Sequence, residues 1–147
     1  MTNLQVVELE VEHLFQIELR PEQSYWYEHF SDPGSVQEYV KLLKESGPTW
    51  VAMHNGLVVL AGGMIKTGHT TECWLLVSRH FPDHWRPLTK IIKEKIEDNK
   101  STRLQALCDT TFPVAKRFLE HLGFEEEGVL HKIGLKKQDQ HMMSIVR

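Results

Sequence analysis

Three cationic side chains lie close together in the sequence, around a loop and the first turn of the helix predicted after it. Arg79 lies two residues after the end of an apolar run, and Arg86 and Lys90 lie on either side of Pro87. Guanidinium and ammonium groups bind phosphate oxygens directly, and their charge strengthens those hydrogen bonds. These three residues therefore indicate a place where a phosphorylated ligand could bind.

Histidines and cysteines are the other side chains with chemistry to consider. His80 and His84 have a spacing that would suit a metal on a helix, but Pro82 lies between them and no third ligand is suitably spaced. We therefore expect no metal. Cys73 and Cys108 lie in separate apolar runs without a CxxC motif, which predicts reduced thiols buried as small hydrophobic side chains. Without a G-x-S-x-G or Walker motif, hydrolase and nucleotidase functions lack support.

The composition is typical of one ordinary globular domain. The 147 residues are 25% charged and 41% hydrophobic, and we predict a single domain over residues 1–147. The formal net charge of −3 favours neither nucleic acid nor an anionic membrane as a partner. The acidic N-terminus does not resemble a signal peptide, and the apolar runs are shorter than the roughly 20 residues of a membrane span. We therefore expect a cytoplasmic protein.

Apolar spacing and turn residues predict the elements that would position these groups. The hairpin is the clearest local signal, because Asn55-Gly56 between two β-patterned runs is typical of a type I′ turn. The pair Gly62-Gly63 is expected to weaken or bend the second strand of that hairpin. The segments predicted in the first half are strands at Leu4–Leu9, Thr49–Met53 and Leu57–Leu60, a short helix around Leu14–Leu19, a helix from Pro21 and a helix at Ser35–Ser46.

The second half alternates strands with helices and ends in two strands. Pro87 is expected to lie in the first turn of a helix, and Gly123 is expected to end the last helix. The predicted segments are strands at Glu72–Val77, Leu104–Leu107, Gly128–Leu135 and His141–Val146, and helices from Pro87 and Pro113. Direct hairpins combined with a helical crossover predict an α/β fold, with a mixed, mostly antiparallel central sheet and helices on both faces.

The segment Ala115–Phe124, AKRFLEHLGF, resembles the GNAT superfamily of N-acetyltransferases, and the element order agrees with that resemblance. Members commonly show A-x-x-F/L-Y-x-x-x-G-F on the helix before the last two strands. The resemblance covers roughly Trp50–Arg147. Leu19–Glu22, Cys73–Leu76 and the F-L-x-x-L-G-F helix are also similar to small GNAT-like proteins of tailed phages. Some of those are described as internal virion or assembly proteins, and others as acetyltransferases.

The resemblance implies that acyl-CoA lies between the fourth and fifth strands, Glu72–Val77 and Leu104–Cys108. Backbone groups of the fourth strand would pair with the pantetheine arm, and the pyrophosphate would bind at the N-terminus of the next helix. Glu72 would be the general base that deprotonates an amine, or else a solvated glutamate at the end of a strand. The implied cofactor-binding residues are Leu75, Leu76, Val77, Arg79, Arg86, Thr89 and Lys90.

The chain departs from the family pattern at two places. The glycines of the phosphate loop are replaced by Trp85, which adds bulk, and Pro87, which removes a donor. Asp83 adds a negative charge beside them. Leu119 stands where the family usually has the tyrosine that protonates the leaving thiolate. Side chains that could replace that acid are Cys108, Thr110, Thr111 and His121.

Two functions of different classes follow from the resemblance. The first is an N-acetyltransferase that moves an acetyl group from acetyl-CoA to an amine on a protein or small molecule. The alternative is a non-catalytic GNAT-fold binding protein or a phage assembly or virion protein, which the replaced glycines and tyrosine favour. The C-terminal strand, often shared between subunits in this fold, implies a homodimer. A phage-encoded protein would act in the host cytoplasm or the virion.

Overall fold

Helices alternate with the strands of one mixed sheet in the computed structural model, which describes residues 3–29, 32–81 and 85–147. The strands are β1 (Leu4–Val7), β2 (Thr49–His54), β3 (Leu57–Thr67), β4 (Thr70–Val77), β5 (Arg103–Asp109), β6 (Glu125–Leu130) and β7 (Gln140–Val146). The helices are α1 (Val11–Gln16), a 3₁₀ helix (Pro21–His29), α2 (Pro33–Ser46), α3 (Trp85–Asp98) and α4 (Pro113–His121). No helix among these residues is long and apolar enough to cross a membrane.

The strand order is β1-β2-β3-β4-β5-β7-β6. The pair β4–β5 is parallel, whereas β1–β2, β2–β3, β5–β7 and β6–β7 are antiparallel. A helical crossover through α3 joins the two parallel strands, as such a connection requires. The predicted α/β fold with a mixed, mostly antiparallel sheet is confirmed.

The chain divides into two compact units. The first unit comprises Met1–Ile65 and Trp74–Trp85, and the second comprises Lys66–Cys73 and Arg86–Arg147. The core of the first unit is made by Leu9, Leu14, Ile17, Leu19, Val36, Val40, Leu43, Val51, Val58, Ala61 and Leu76. The buried apolar side chains of the second unit include Leu88, Ile92, Ile96, Leu104, Ala106, Phe112, Phe118, Leu119, Leu122, Phe124 and Met143.

The predicted hairpin is confirmed, but its second strand is longer than expected. Asn55 and Gly56 both have positive φ angles, 51° and 80°, as a type I′ turn requires. Strand β3 continues through Gly62-Gly63 to Thr67, beyond the predicted end at Leu60. A Cβ at Gly63 would lie 2.7 Å from the indole nitrogen of Trp74. The glycine is therefore needed for the close approach of this ring.

The end of α4 agrees with the predicted glycine stop. The Gly123 N–H donates to the carbonyl of Glu120 and the Phe124 N–H to that of Leu119, which is the hydrogen-bond pattern of a Schellman motif. Gly123 has a φ of 107°, a conformation that favours glycine. This motif directs the chain from α4 into β6.

Several element boundaries differ from the sequence-based expectations. Helix α3 begins at Trp85, so Pro87 lies in its first turn as predicted, where a proline costs no intrahelical hydrogen bond. Strand β4 begins at Thr70, where it already pairs with β5. Strand β6 spans Glu125–Leu130 rather than Gly128–Leu135, because its pairing with β7 begins at Glu125 and the register shifts before Gly128.

Candidate active site

Strands β4 and β5 pair over a short stretch only. Thr70–Glu72 lies beside Arg103–Gln105 in parallel register, although both strands are longer than that. The hydroxyl groups of Thr71 and Ser101 share a buried hydrogen bond of 2.5 Å at this paired end. Glu72 and Gln105 are therefore the last residues at which the two strands are in register, and this places Glu72 where the strand pairing stops.

A chain of polar contacts holds the Glu72 carboxylate. Gln105 Nε2 donates to Glu72 Oε2 at 2.7 Å, while Gln105 Oε1 accepts from Arg103 Nε at 2.9 Å. The Arg103 guanidinium binds both Glu127 oxygens, at 2.6 and 3.2 Å, and Glu127 also accepts from the Ser144 hydroxyl. Since Arg103 donates to the Gln105 oxygen, the Gln105 amide nitrogen must point toward Glu72.

The carboxylates of Glu72 and Glu127 have different charged and polar neighbours. The Arg103 guanidinium first, and then the Ser144 hydroxyl, hold the pKa of the Glu127 carboxyl below its usual value. Glu72 is half-buried and accepts one hydrogen bond from a neutral amide. Its second oxygen, Oε1, has no hydrogen-bond partner within the described residues. Glu72 thus offers an acceptor oxygen, whereas Glu127 is neutralised by Arg103.

The backbone of β4 beyond this point is paired with a side chain. Gln23 Nε2 donates to the Leu75 carbonyl at 3.0 Å, and the Val77 N–H donates to Gln23 Oε1 at 2.8 Å. The Arg20 N–H donates to the Val77 carbonyl at 3.1 Å. Leu76 has its side chain in the core of the first unit. The backbone groups that the resemblance assigns to pantetheine thus have internal partners at Leu75 and Val77.

The predicted phosphate-binding residues are placed as follows. Arg79 is exposed, with its Nε 3.9 Å from Glu18 Oε2, and His80 Nε2 lies 3.5 Å from the same oxygen. Arg86 and Lys90 are exposed and one turn apart on α3, whereas Thr89 is buried. The loop residues Pro82, Asp83 and His84, and the side chain of Trp85, lie outside the part of the chain that the structure describes.

The side chains that could replace the missing tyrosine differ in burial. Leu119 is buried in α4, and Thr110, Thr111 and His121 are exposed. Burial, and then the charge of Asp109, raise the pKa of the Cys108 thiol to about 11. Within residues 3–29, 32–81 and 85–147, no cluster of three or more His, Cys, Asp or Glu side chains could hold a metal ion.

Neither cysteine should react with a thiol reagent in the folded protein. Burial first, and then the charge of Glu72, raise the pKa of Cys73 to about 12. At pH 8 only about one Cys73 thiol in ten thousand is then ionised, and the thiolate is the reactive form. We expect slow labelling of both cysteines by iodoacetamide at pH 8, followed by modification of two thiols once the protein is unfolded in guanidinium. Rapid labelling of the native protein would contradict this assignment.

Sequence analysis missed three polar residues that bind β4 or lie buried in the second unit. Gln23 and Gln105 bind the two halves of β4, and Asp109 is buried with its carboxylate 2.6 Å from the Gln140 amide nitrogen. Gln105 interrupts the apolar run of β5, and that interruption is a signal that could have marked it. Gln23 has no such signal, because a glutamine in the first turn of a helix that starts with proline is usually an ordinary surface residue.

The fold is that of the GNAT-family acetyltransferases. It matches a GNAT acetyltransferase from Streptococcus pneumoniae at a TM-score of 0.70 and 16% identity, over 97% of this chain and 98% of that one. A ribosomal-protein-alanine N-acetyltransferase from Brucella melitensis matches at 0.75 and 20%, over 97% and 99%. A spermidine N-acetyltransferase from Vibrio cholerae, solved with CoA and spermine, matches at 0.74 and 17%, over 98% and 95%. No protein-family model and no curated protein matches the sequence.

Proposed function

We propose that this protein is an N-acetyltransferase that moves an acetyl group from acetyl-CoA to an amine. The observation that carries the proposal is the Glu72 carboxylate, held by Gln105 at the last paired residue of β4 in a GNAT fold. A half-buried carboxylate with one available oxygen suits a general base. In the non-catalytic alternative, Glu72 would be an ordinary strand residue, and its hydrogen bond with Gln105 would have no role in catalysis.

In the proposed reaction, Glu72 Oε1 takes a proton from the acceptor ammonium, directly or through one water. The amine lone pair then attacks the carbonyl carbon of the thioester. A C–N bond forms, the C–S bond breaks, and CoA leaves as a thiolate; the nitrogen then loses its excess proton, which the thiolate takes up. Because a CoA thiolate is a tolerable leaving group, the absence of a tyrosine at Leu119 does not prevent this step.

The cofactor would lie along the second half of β4. Its phosphates would be bound by the exposed cations Arg79, Arg86 and Lys90, whose charge suits such a ligand. Backbone pairing with the pantetheine arm would use Leu75 and Val77. Leu76 and Thr89 are buried, so we propose that their side chains support the binding residues rather than contact the cofactor.

For the acceptor substrate we propose a chemical class rather than one compound. The neighbours with this fold include an enzyme named for the alanine of a ribosomal protein and one named for spermidine. A primary amine on a protein or on a small polyamine is therefore the substrate to test first. The predicted homodimer, the cytoplasmic location and the narrower likeness to phage proteins stay predictions.

Thermal unfolding with and without acetyl-CoA tests the proposal. A ligand that binds only the folded state stabilises it by about 2.7 kcal/mol at 100 times its Kd, so the melting temperature should rise with ligand concentration. Adenosine at the same concentrations is the matched control and should leave it unchanged. An unchanged melting temperature at millimolar acetyl-CoA would reject the enzyme and favour the non-catalytic alternative.

Replacing Gln105 tests its role in holding the base. Gln105→Leu removes the donor to Glu72, and hydrogen bonds to charged groups contribute about 1.5–3 kcal/mol. We expect kcat to fall about tenfold or more, while KM for acetyl-CoA stays within twofold. Gln5→Leu, on the exposed face of β1, is the control and should change neither constant. An unchanged kcat in Gln105→Leu would show that Glu72 does not need this contact.

A further inference from the structure

One edge of the second half of β4 is covered at Leu75 and Val77 by the side chain of Gln23, next to a backbone bridge between Leu19 and Ser78. The Ser78 N–H donates to the carbonyl of Val59 in β3 at 3.0 Å. Successive residues of a strand direct their backbone groups to opposite edges. Leu75 and Val77 therefore present their groups to the edge away from β3, and the Gln23 carboxamide occupies that edge.

The Gln23 contact has the pattern of a peptide group in a parallel strand. A residue of a parallel neighbour binds the carbonyl of one residue and the N–H of the residue two positions further along. Gln23 does this with its side chain, because Nε2 donates to Leu75 and Oε1 accepts from Val77. One carboxamide thus satisfies a donor and an acceptor that would otherwise be available to an extended amide ligand.

The Gln23 side chain can leave this edge without unfolding its surroundings. Its backbone is fixed independently, since the Gln23 N–H donates to the Arg20 carbonyl at 2.9 Å and the Arg20 N–H donates to Val77. Among the described residues, rotation about the side-chain bonds of Gln23 would break the two amide contacts and no other hydrogen bond of that side chain. Those contacts are partly exposed, so water can replace them.

We propose that Gln23 is an internal competitor of the cofactor, whose carboxamide must be displaced before a pantetheine amide pairs with Leu75 and Val77. This inference rests on the proposed function. Pantetheine carries two secondary amides in an extended chain, and each offers the same donor and acceptor as the Gln23 side chain. Gln23 therefore lowers the affinity for acyl-CoA and favours ligands whose amide lies in register with Leu75 and Val77.

Calorimetric titration of Gln23→Ala with three probes tests the inference. Acetyl-CoA and pantetheine should bind about tenfold tighter than to the wild type, which corresponds to about 1.4 kcal/mol. Adenosine 3′,5′-bisphosphate has two of the three phosphates of CoA and lacks the pantetheine arm, and its affinity should not change. Gln37→Ala, an exposed glutamine of α2, is the matched control and should bind all three probes as the wild type does.

The outcomes separate the inference from the proposed function. If the wild type binds acetyl-CoA and Gln23→Ala binds it no tighter, the proposed function stands and the competition is rejected. An equal gain for adenosine 3′,5′-bisphosphate also rejects it, because the effect is then not on the amide arm. If neither variant binds acetyl-CoA at millimolar concentration, both proposals fail.

A measurement on the wild-type protein covers the case in which Gln23→Ala does not fold. The side-chain amide resonances of Gln23 should shift when pantetheine or acetyl-CoA saturates the protein. The Val77 amide should keep its protection from hydrogen exchange, because a pantetheine carbonyl replaces Gln23 as its acceptor. Unchanged Gln23 resonances at saturation would overturn the inference.

Discussion

Glu72→Gln is expected to reduce the rate of acetyl transfer by about 10²–10⁴-fold, the usual contribution of a general base. Glutamine has nearly the same shape as glutamate but accepts no proton from the attacking ammonium. Because the substitution leaves β4 and its backbone groups in place, the Kd for acetyl-CoA should stay within about twofold. Steady-state kinetics with spermidine and an alanine-terminated peptide, together with calorimetry, measure the two effects separately.

Glu125→Gln supplies the control for that loss. Glu125 is an exposed glutamate at the start of β6, so its neutralisation changes the net charge by the same amount without touching the proposed base. Activity of Glu125→Gln should equal that of the wild type. If Glu72→Gln keeps more than about a third of wild-type activity, Glu72 is a solvated strand residue and the mechanism is wrong.

Leu76→Ala is expected to destabilise the protein by about 2–5 kcal/mol, the range for truncating a buried leucine. The Leu76 side chain is 5% exposed and belongs to the core of the first unit, where truncation leaves a cavity. The position lies in the strand proposed to bind pantetheine, but by alternation its backbone groups face β3. Acetyl-CoA affinity, measured well below the melting temperature, should therefore change less than threefold.

Urea unfolding measures this loss of stability. Leu57→Ala is the matched control, because Leu57 lies in β3 and is 51% exposed; its substitution should cost under about 0.5 kcal/mol. If Leu76→Ala lost affinity for acetyl-CoA while its stability stayed unchanged, Leu76 would be a cofactor-binding residue, as the sequence predicts.

The fold could be predicted from sequence because its signals are local. Asn55-Gly56 determines a hairpin within two residues, and Gly123 ends α4 through hydrogen bonds that span six residues. Boundaries were less accurate where tertiary pairing decides them. The ring of Trp74 packs against Gly63 in β3, and no local pattern predicts the position of that ring.

The site was predicted only in part, because its decisive contacts join residues that are far apart in sequence. Glu72 was proposed from the sequence and stays a prediction, but its partner Gln105 is 33 residues away, and Gln23 is 52 residues from the carbonyl that it binds. A glutamine has no charge and no spacing rule that marks such a role. The replaced phosphate-loop glycines were visible in the sequence, whereas the occupied edge of β4 was visible only in three dimensions.

Direct titration of acetyl-CoA into the wild-type protein by isothermal calorimetry shows whether the protein binds the proposed cofactor. We predict saturable binding of one acetyl-CoA per chain, weakened by added salt because Arg79, Arg86 and Lys90 are proposed to contact the phosphates. No saturable heat up to millimolar acetyl-CoA, for a protein shown to be folded by circular dichroism, would contradict the account.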